Sequence, residues 1–217
     1  MVVRADMGIS WDGFATGEGQ ARDAPFGHAG TRLMEWMVGT ATFGVHVLGQ
    51  DPAATAGTRG VNDAFVARQF RGIGAEIMGS HKFGPPGWHQ DPEWRGWWGE
   101  NPPFHSPVFV LTHHRRDPLP MAGGTTFHFL DATPEDALAV ATEAAGGLDV
   151  RIGGGPTTVR QFLSARLIDV LHVAIAPLVL GRGVRLWDDL EGLEVDYDVE
   201  SVAAPQGVVH LTLTRHR

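Results

Sequence analysis

The chain has 217 residues, 43% hydrophobic and 19% charged, enough to enclose a core, which excludes a peptide, a coiled coil and a disordered tail. Lys and Arg number 17 against 25 Asp and Glu, a formal net charge of −8, and no basic cluster exceeds Arg115-Arg116, so neither nucleic acid nor an anionic membrane is expected as a partner. The lack of cysteine removes disulfides, thiolate metal sites and cysteine nucleophiles, and no apolar run reaches the length of a spanning helix.

The N-terminal MVVRADMGIS has neither the basic nor the apolar region of a signal peptide, so a soluble, cytoplasmic protein is expected. Residues 2–10 read as a strand, because an apolar run ends in the turn signal Trp11-Asp12-Gly13. Residues 16–30, rich in Gly and Asp, read as loop. Leu33, Met34, Trp36 and Met37 then recur at helical spacing up to Gly39. Residues 39–60 show no clear periodicity. Asn62 is the expected cap of a helix over residues 63–71, whose apolar face is Phe65, Val66 and Phe70.

A buried strand over residues 75–78 delivers the chain to a polar loop, Gly79-Ser80-His81-Lys82. Residues 83–107 contain Trp88, Trp94, Trp97 and Trp98 among prolines. So much ring surface argues against disorder and for a packed flap or one that lines a site. Strands follow at 108–111 and 127–130. Thr133-Pro134-Glu135-Asp136 opens a helix that Gly146-Gly147 stops. A strand at 150–152, a glycine run, a helix bearing Val159, Phe162 and Leu163, and a strand at 169–176 form a parallel βαβ unit. Residues 193–202 and 208–214 read as a closing antiparallel hairpin. No linker or repeat interrupts the chain, so residues 1–217 are expected to form one α/β domain.

Three consecutive glycines, Gly153, Gly154 and Gly155, between a strand and a helix start give the strongest chemical signal. Free backbone N–H groups and the helix dipole favour an anion there, and glycine lets a pyrophosphate approach. The spacing matches neither G-x-G-x-x-G nor a P-loop, and a tight turn is the plain alternative. Residues 79–82, and Thr112, His113, His114, Arg115 and Arg116, would emerge on the same edge if their strands run parallel to that one. Three polar or basic strand ends in an acidic protein suit a dinucleotide with an extra 2′-phosphate. The 11 His form no ligand pair on a helix face, so no metal is expected. No serine sits in a nucleophile elbow.

GISWDGFAT, EIMGSHKF, VFVLTHHRR and above all RIGGGPTTVRQFLSARLIDVLHVAIAPLVLGRGVRLWDDL resemble the dihydrofolate-reductase-like family. The branch is the reductase domain of the bifunctional riboflavin-biosynthesis deaminase/reductase and its stand-alone relatives. The resemblance implies a three-layer α/β/α fold with a mixed, mostly parallel sheet and a C-terminal antiparallel hairpin. It also implies NADPH, a homodimer, and reduction of a small pterin-, pyrimidine- or similar heterocyclic substrate. By matching motif, Gly153, Gly154, Gly155, Thr157 and Thr158 would hold the pyrophosphate. Gly79, Ser80, His81 and Lys82 would form a second phosphate loop, and Thr112 with His113 or His114 would read the 2′-phosphate. Asp12 would close the nicotinamide-side loop.

Dihydrofolate reductases proper carry a carboxylate three residues before a helical Trp. Here that position is Leu33, which argues against dihydrofolate as the physiological substrate. Glu35 and Asp63 are the candidate proton donors, and Trp11, Trp36 and the Trp-rich segment a candidate water-excluding wall. The function expected is NADPH-dependent hydride transfer to a C=N or C=O bond. The alternative is a non-catalytic protein that sequesters a heterocyclic ligand.

Overall fold

The computed structural model describes residues 1–216. The strands are β1 (Val3–Ser10), β2 (Phe14–Thr16), β3 (Ile73–Gly79), β4 (Pro107–Leu111), β5 (Leu119–Pro120), β6 (Thr126–Leu130), β7 (Asp149–Gly154), β8 (Val170–Ala176), β9 (Val184–Arg185), β10 (Tyr197–Ala203) and β11 (Val209–Arg215). The α-helices are α1 (Glu35–Val38), α2 (Ala41–His46), α3 (Val61–Phe70), α4 (Ser80–Phe83), α5 (Pro134–Ala144) and α6 (Pro156–Ser164).

Nine strands build one mixed sheet in the order β10-β11-β8-β1-β7-β3-β4-β6-β5, and β2 pairs with β9 in a small antiparallel sheet. From β8 through β6 the neighbours are parallel. β5 pairs antiparallel with β6, and the β10–β11 hairpin continues the sheet antiparallel to β8. This is an α/β fold of three layers. Helices α5 and α6 cover one face, where Ala137, Ala141, Val159, Phe162 and Leu163 pack on Ala5, Ile77, Ile152, Leu171 and Val173. Period-two alternation along β1 gives Val3, Ala5 and Ile9 to that core and turns Asp6 to the opposite face. There Phe65 of α3 and Trp36 of α1 lie over His172 and His210.

The elements read from sequence form, with five differences, the first being that residues 193–196 wind into a 3-10 turn after Gly192, so the hairpin strand starts only at Tyr197. Residues 39–60 contain a helix, α2, whose cap is Thr40: its Oγ1 accepts from the Phe43 N–H at 3.3 Å. Asn62 does not cap α3. The N-cap is Gly60, and Asn62 is buried in the first turn, where its amide meets β11 and the hairpin turn. Residues 80–83 close into one helical turn instead of a loop. The two- and three-residue strands β2, β5 and β9 pair at the margins, too short to show alternation in sequence.

The Trp-rich segment is a packed flap with its own core. Trp88 is buried with Phe83 and Phe127, and Trp94, Trp98 and Phe104 pack against them. Arg116 staples it, its guanidinium donating to the Trp94 and Pro92 carbonyls at 2.6 Å each.

Candidate active site

Every parallel strand ends on the same edge of the sheet, so the turns after β4, β3, β7 and β1 emerge side by side in that order. Open α/β sheets take ligands at this carboxyl edge. The three polar strand ends that the sequence singles out are therefore neighbours, and Asp12 stands beside them after β1.

The three glycines differ in what surrounds them. A Cβ on Gly153 would run into the Glu76 carboxylate, so this glycine is a packing requirement. Gly154 has φ +110°, a conformation closed to most side chains. A Cβ on Gly155 would meet nothing within 4 Å. Gly155 is also the N-cap of α6, so open space lies over free N–H groups and the positive end of a nine-residue helix. Thr157 is exposed at that mouth. Thr158 is buried, its hydroxyl so close to Gly79 that any side chain there would collide with it.

Beneath this loop lies an ion cluster. Glu76 of β3, 1% exposed, binds Arg151 of β7 through both guanidinium arms, with Nε to Oε2 at 2.7 Å. Its other oxygen accepts from Lys82 Nζ at 3.0 Å, and Lys82 also donates to the Gly153 carbonyl at 2.5 Å. Burial alone would raise the Glu76 carboxyl, but the charges of Arg151 and Lys82 hold it below the usual range. Burial pushes Lys82 down, and Glu76 works against that shift. Lys82 thus ties α4 to the glycine loop. Ser80 accepts from Trp88 Nε1 at 2.9 Å, and the carbonyl of His81 accepts from Gln20 Nε2 at 2.8 Å. The loop over residues 16–30 is latched here a second time by Arg22 on Asp91.

At the end of β4, Thr112 is buried and its Oγ1 accepts from the His114 N–H at 3.1 Å. His113 pairs with Asp131 at 2.7 Å, and His114 stacks on His89. Arg116 is committed to the Trp-rich segment, which leaves Arg115 as the exposed cation of this loop.

Asp12 accepts from the Leu180 and Gly181 N–H groups at 3.0 and 2.7 Å, clasping the turn after β1 to the chain after β8. Burial raises its carboxyl, yet these bonds and Ser10 outweigh that and hold it at about 2, so it is an anion at neutral pH. Asp63 accepts from the Thr42 N–H at 2.7 Å and anchors α2. Glu35 is exposed at the start of α1. None of the three lies in the ion cluster or the glycine loop. Trp11 is 64% exposed, whereas Trp36 packs on buried histidines. Glu76, Arg151 and His172 lie inside the stretches that carry the family resemblance, but no role attached to them there, and Asp6 and His210 lie outside those stretches; only their polarity inside apolar strand runs marked all five. Among the described residues no group of His, Cys, Asp and Glu could hold a metal ion, and no helix is long and apolar enough to cross a membrane.

The model of the RibD C-terminal domain matches residues 1–216. The chain belongs to that family. Solved structures share the family's fold at low identity. A riboflavin biosynthesis protein of Shewanella sp. PV-4, described as putative, is 20% identical with TM-score 0.60 over 100% of both chains. A diaminohydroxyphosphoribosylaminopyrimidine deaminase/5-amino-6-(5-phosphoribosylamino)uracil reductase of Thermotoga maritima is 13% identical with TM-score 0.54, over 99% of this chain and 56% of that one. Dihydrofolate reductase of Enterococcus faecalis, complexed with NADP(H), is 12% identical with TM-score 0.51, over 100% and 97%. No match emerges among curated protein sequences.

Proposed function

We propose that this member of the RibD C-terminal domain family is an NADPH-dependent reductase that transfers hydride to a C=N or C=O bond of a small heterocyclic substrate. The observation that carries the reading is the open space at Gly155, over the start of α6, beside the end of β3 and with that of β4 next along the edge. A pyrophosphate fits free N–H groups at a helix start with no side chain in its way. The residues that would hold the dinucleotide are Gly154, Gly155 and Thr157, with α4 beside them. Thr112, His114 and Arg115 would meet its adenosine end. When bound, the cofactor supplies the hydride, and the chain orients it and excludes water.

The test is NADPH binding followed by fluorescence, then NADPH oxidation with 5-amino-6-(5-phosphoribosylamino)uracil and with dihydrofolate as probes. Saturable binding and turnover of either probe support the reading; failure to bind NADPH overturns it. NADPH should bind more tightly than NADH. Arg115→Ala should weaken NADPH about tenfold and leave NADH unchanged, the effect of one charge-assisted bond to the 2′-phosphate. An unchanged ratio of the two dissociation constants removes the 2′-phosphate from this loop.

A further inference from the structure

Hydride transfer to a C=N or C=O bond leaves a negative heteroatom that must take up a proton, and Asp12, Asp63 and Glu35 are placed for other tasks or stand apart. Resting on the reductase reading above, we propose that Asp6, backed by His172, holds the proton that the reduced substrate takes up. The observation is a row of side chains crossing from β1 to α3 beneath the helices. His172 Nδ1 lies 3.0 Å from Asp6 Oδ1, His172 Nε2 lies 2.9 Å from His210 Nδ1, and His210 Nε2 lies 2.8 Å from Asn62 Oδ1. Phe65 stacks on both rings and Trp36 meets both edge-on.

The polarity of the row counts its protons. The Asn62 amide donates to Gln206 Oε1 at 3.1 Å, so its own oxygen faces His210 and accepts from His210 Nε2. A neutral His210 then has a bare Nδ1, which accepts from His172 Nε2–H. The second nitrogen of His172 faces a carboxylate oxygen. A bare nitrogen and an ionised carboxylate cannot share that contact, so one proton lies between Asp6 and His172. Burial and the neighbouring His172 push His210 down to about 4, which keeps it in the neutral form that the polarity requires.

Position gives the proton its exit. Ala5 pairs with Ile152, so Asp6 comes next along β1 beside the start of the glycine loop. Lys82, bonded to the Gly153 carbonyl, feels the charge of Asp6. The Asp6 side chain is 13% exposed and that of His172 1%, while the far end of the row is closed by amides. The charged groups around the pair are Lys82 of α4, Glu76 of β3, Arg151 of β7 and Arg4 of β1. From β11 comes His210, and from α3 Arg68, 5.9 Å from the Phe65 ring centre. Helix α1 contributes only the Trp36 ring.

As hydride reaches the carbon, the π electrons pass to nitrogen or oxygen, which takes the shared proton. Asp6 is left as a carboxylate and His172 as a neutral ring. Water reloads the pair through the exposed side of Asp6.

The test is nitrogen NMR on histidine-labelled protein without ligand, joined to single-turnover hydride transfer with the two probes above. At about pH 7 His172 should show N–H at Nε2 and a shared proton at Nδ1, with a bare Nδ1 on His210. Asp6→Asn keeps the shape and can donate to His172, so it should fold and bind NADPH as wild type does. Its His172 should become neutral, and transfer should slow at least about 100-fold, the low end for a lost general acid. A bare Nε2 on His172, the mark of the opposite polarity, overturns the proposal whatever the probes show. So does an Asp6→Asn protein that transfers hydride at the wild-type rate with an unchanged pH profile. Failure to bind NADPH alongside the shared proton overturns the reductase reading and leaves the proton store standing.

Discussion

A methyl group added at position 153 would enter the Glu76 carboxylate, whereas one at position 155 would enter free space. The two glycines should therefore separate stability from binding. Gly153→Ala is expected to cost on the order of 3 kcal/mol in urea unfolding, because a buried, doubly paired carboxylate has nowhere to move. Gly155→Val should unfold as wild type does yet lose NADPH affinity at least about tenfold by fluorescence titration. Equal NADPH affinity in Gly155→Val would mean that the run is only a turn. Gly154 is the poorer probe, since its φ of +110° makes any substitution destabilising regardless of ligand. The run of three glycines was legible in the sequence. Their division of labour was not, because it depends on Glu76 and Thr158, which only the sheet brings to them. Asp12 makes a pH prediction. Its folded carboxyl sits at about 2 against an ordinary 3.8, so the unfolded chain binds the proton more readily. The stabilisation it gives is fully present above the ordinary value and is lost as pH falls towards about 2. Asp12→Asn should flatten the acid limb of a stability-against-pH curve; an unaltered limb would refute the clasp.

Among the elements, strands and helices with a full apolar stripe were legible, and those defined by a single contact were not. β1, β3, β7, β8, α5 and α6 show their periodicity because one whole face of each meets the core. Helix α2 has only Ala41 and Gly44 buried in six residues, a stripe that Gly, Ala and Thr hardly mark. Asn62 looked like a cap because Asn before an apolar run normally is one; burial beneath the hairpin turn overrides that preference. The Trp-rich segment was recognisable as packed, but its dependence on Arg116 lies in a contact more than 20 residues distant in sequence. Arg116→Ala removes two charge-assisted bonds to carbonyls of that segment. The expected loss is on the order of 2 kcal/mol, discounted for partial exposure, with faster proteolysis between residues 92 and 97 than elsewhere. Cleavage at the wild-type rate would show that Trp88, Trp94 and Trp98 hold the segment without the staple.

At the scale of the whole molecule, β10 closes one end of the sheet as an unpaired edge. Every residue of it after Tyr197 is exposed, including Val199 at 52% and Val202 at 43%. Alternate residues of this seven-residue strand turn their N–H and C=O groups away from β11 and form a template for another strand, and proteins usually blunt such edges. Asp198 and Glu200 do this only in part. Antiparallel pairing with a second copy centred on Glu200 would set two carboxylates face to face and is disfavoured. A shift of one residue puts the axis at Ser201. Val199 then stands opposite Ala203 of the second copy, and Glu200 opposite Val202, each pair on one face of the sheet. That register joins two nine-stranded sheets end to end and satisfies the edge, so a homodimer is the expected state in solution at micromolar concentration. Light scattering should return twice the mass of the 23.4 kDa chain. Val199→Lys would replace an apolar cross-strand pair with a solvated charge and should return the monomer, with the carboxyl edge of the sheet, and hence NADPH binding, untouched. A wild-type protein that scatters as a monomer would sink the dimer, and a Val199→Lys dimer would move its interface away from β10.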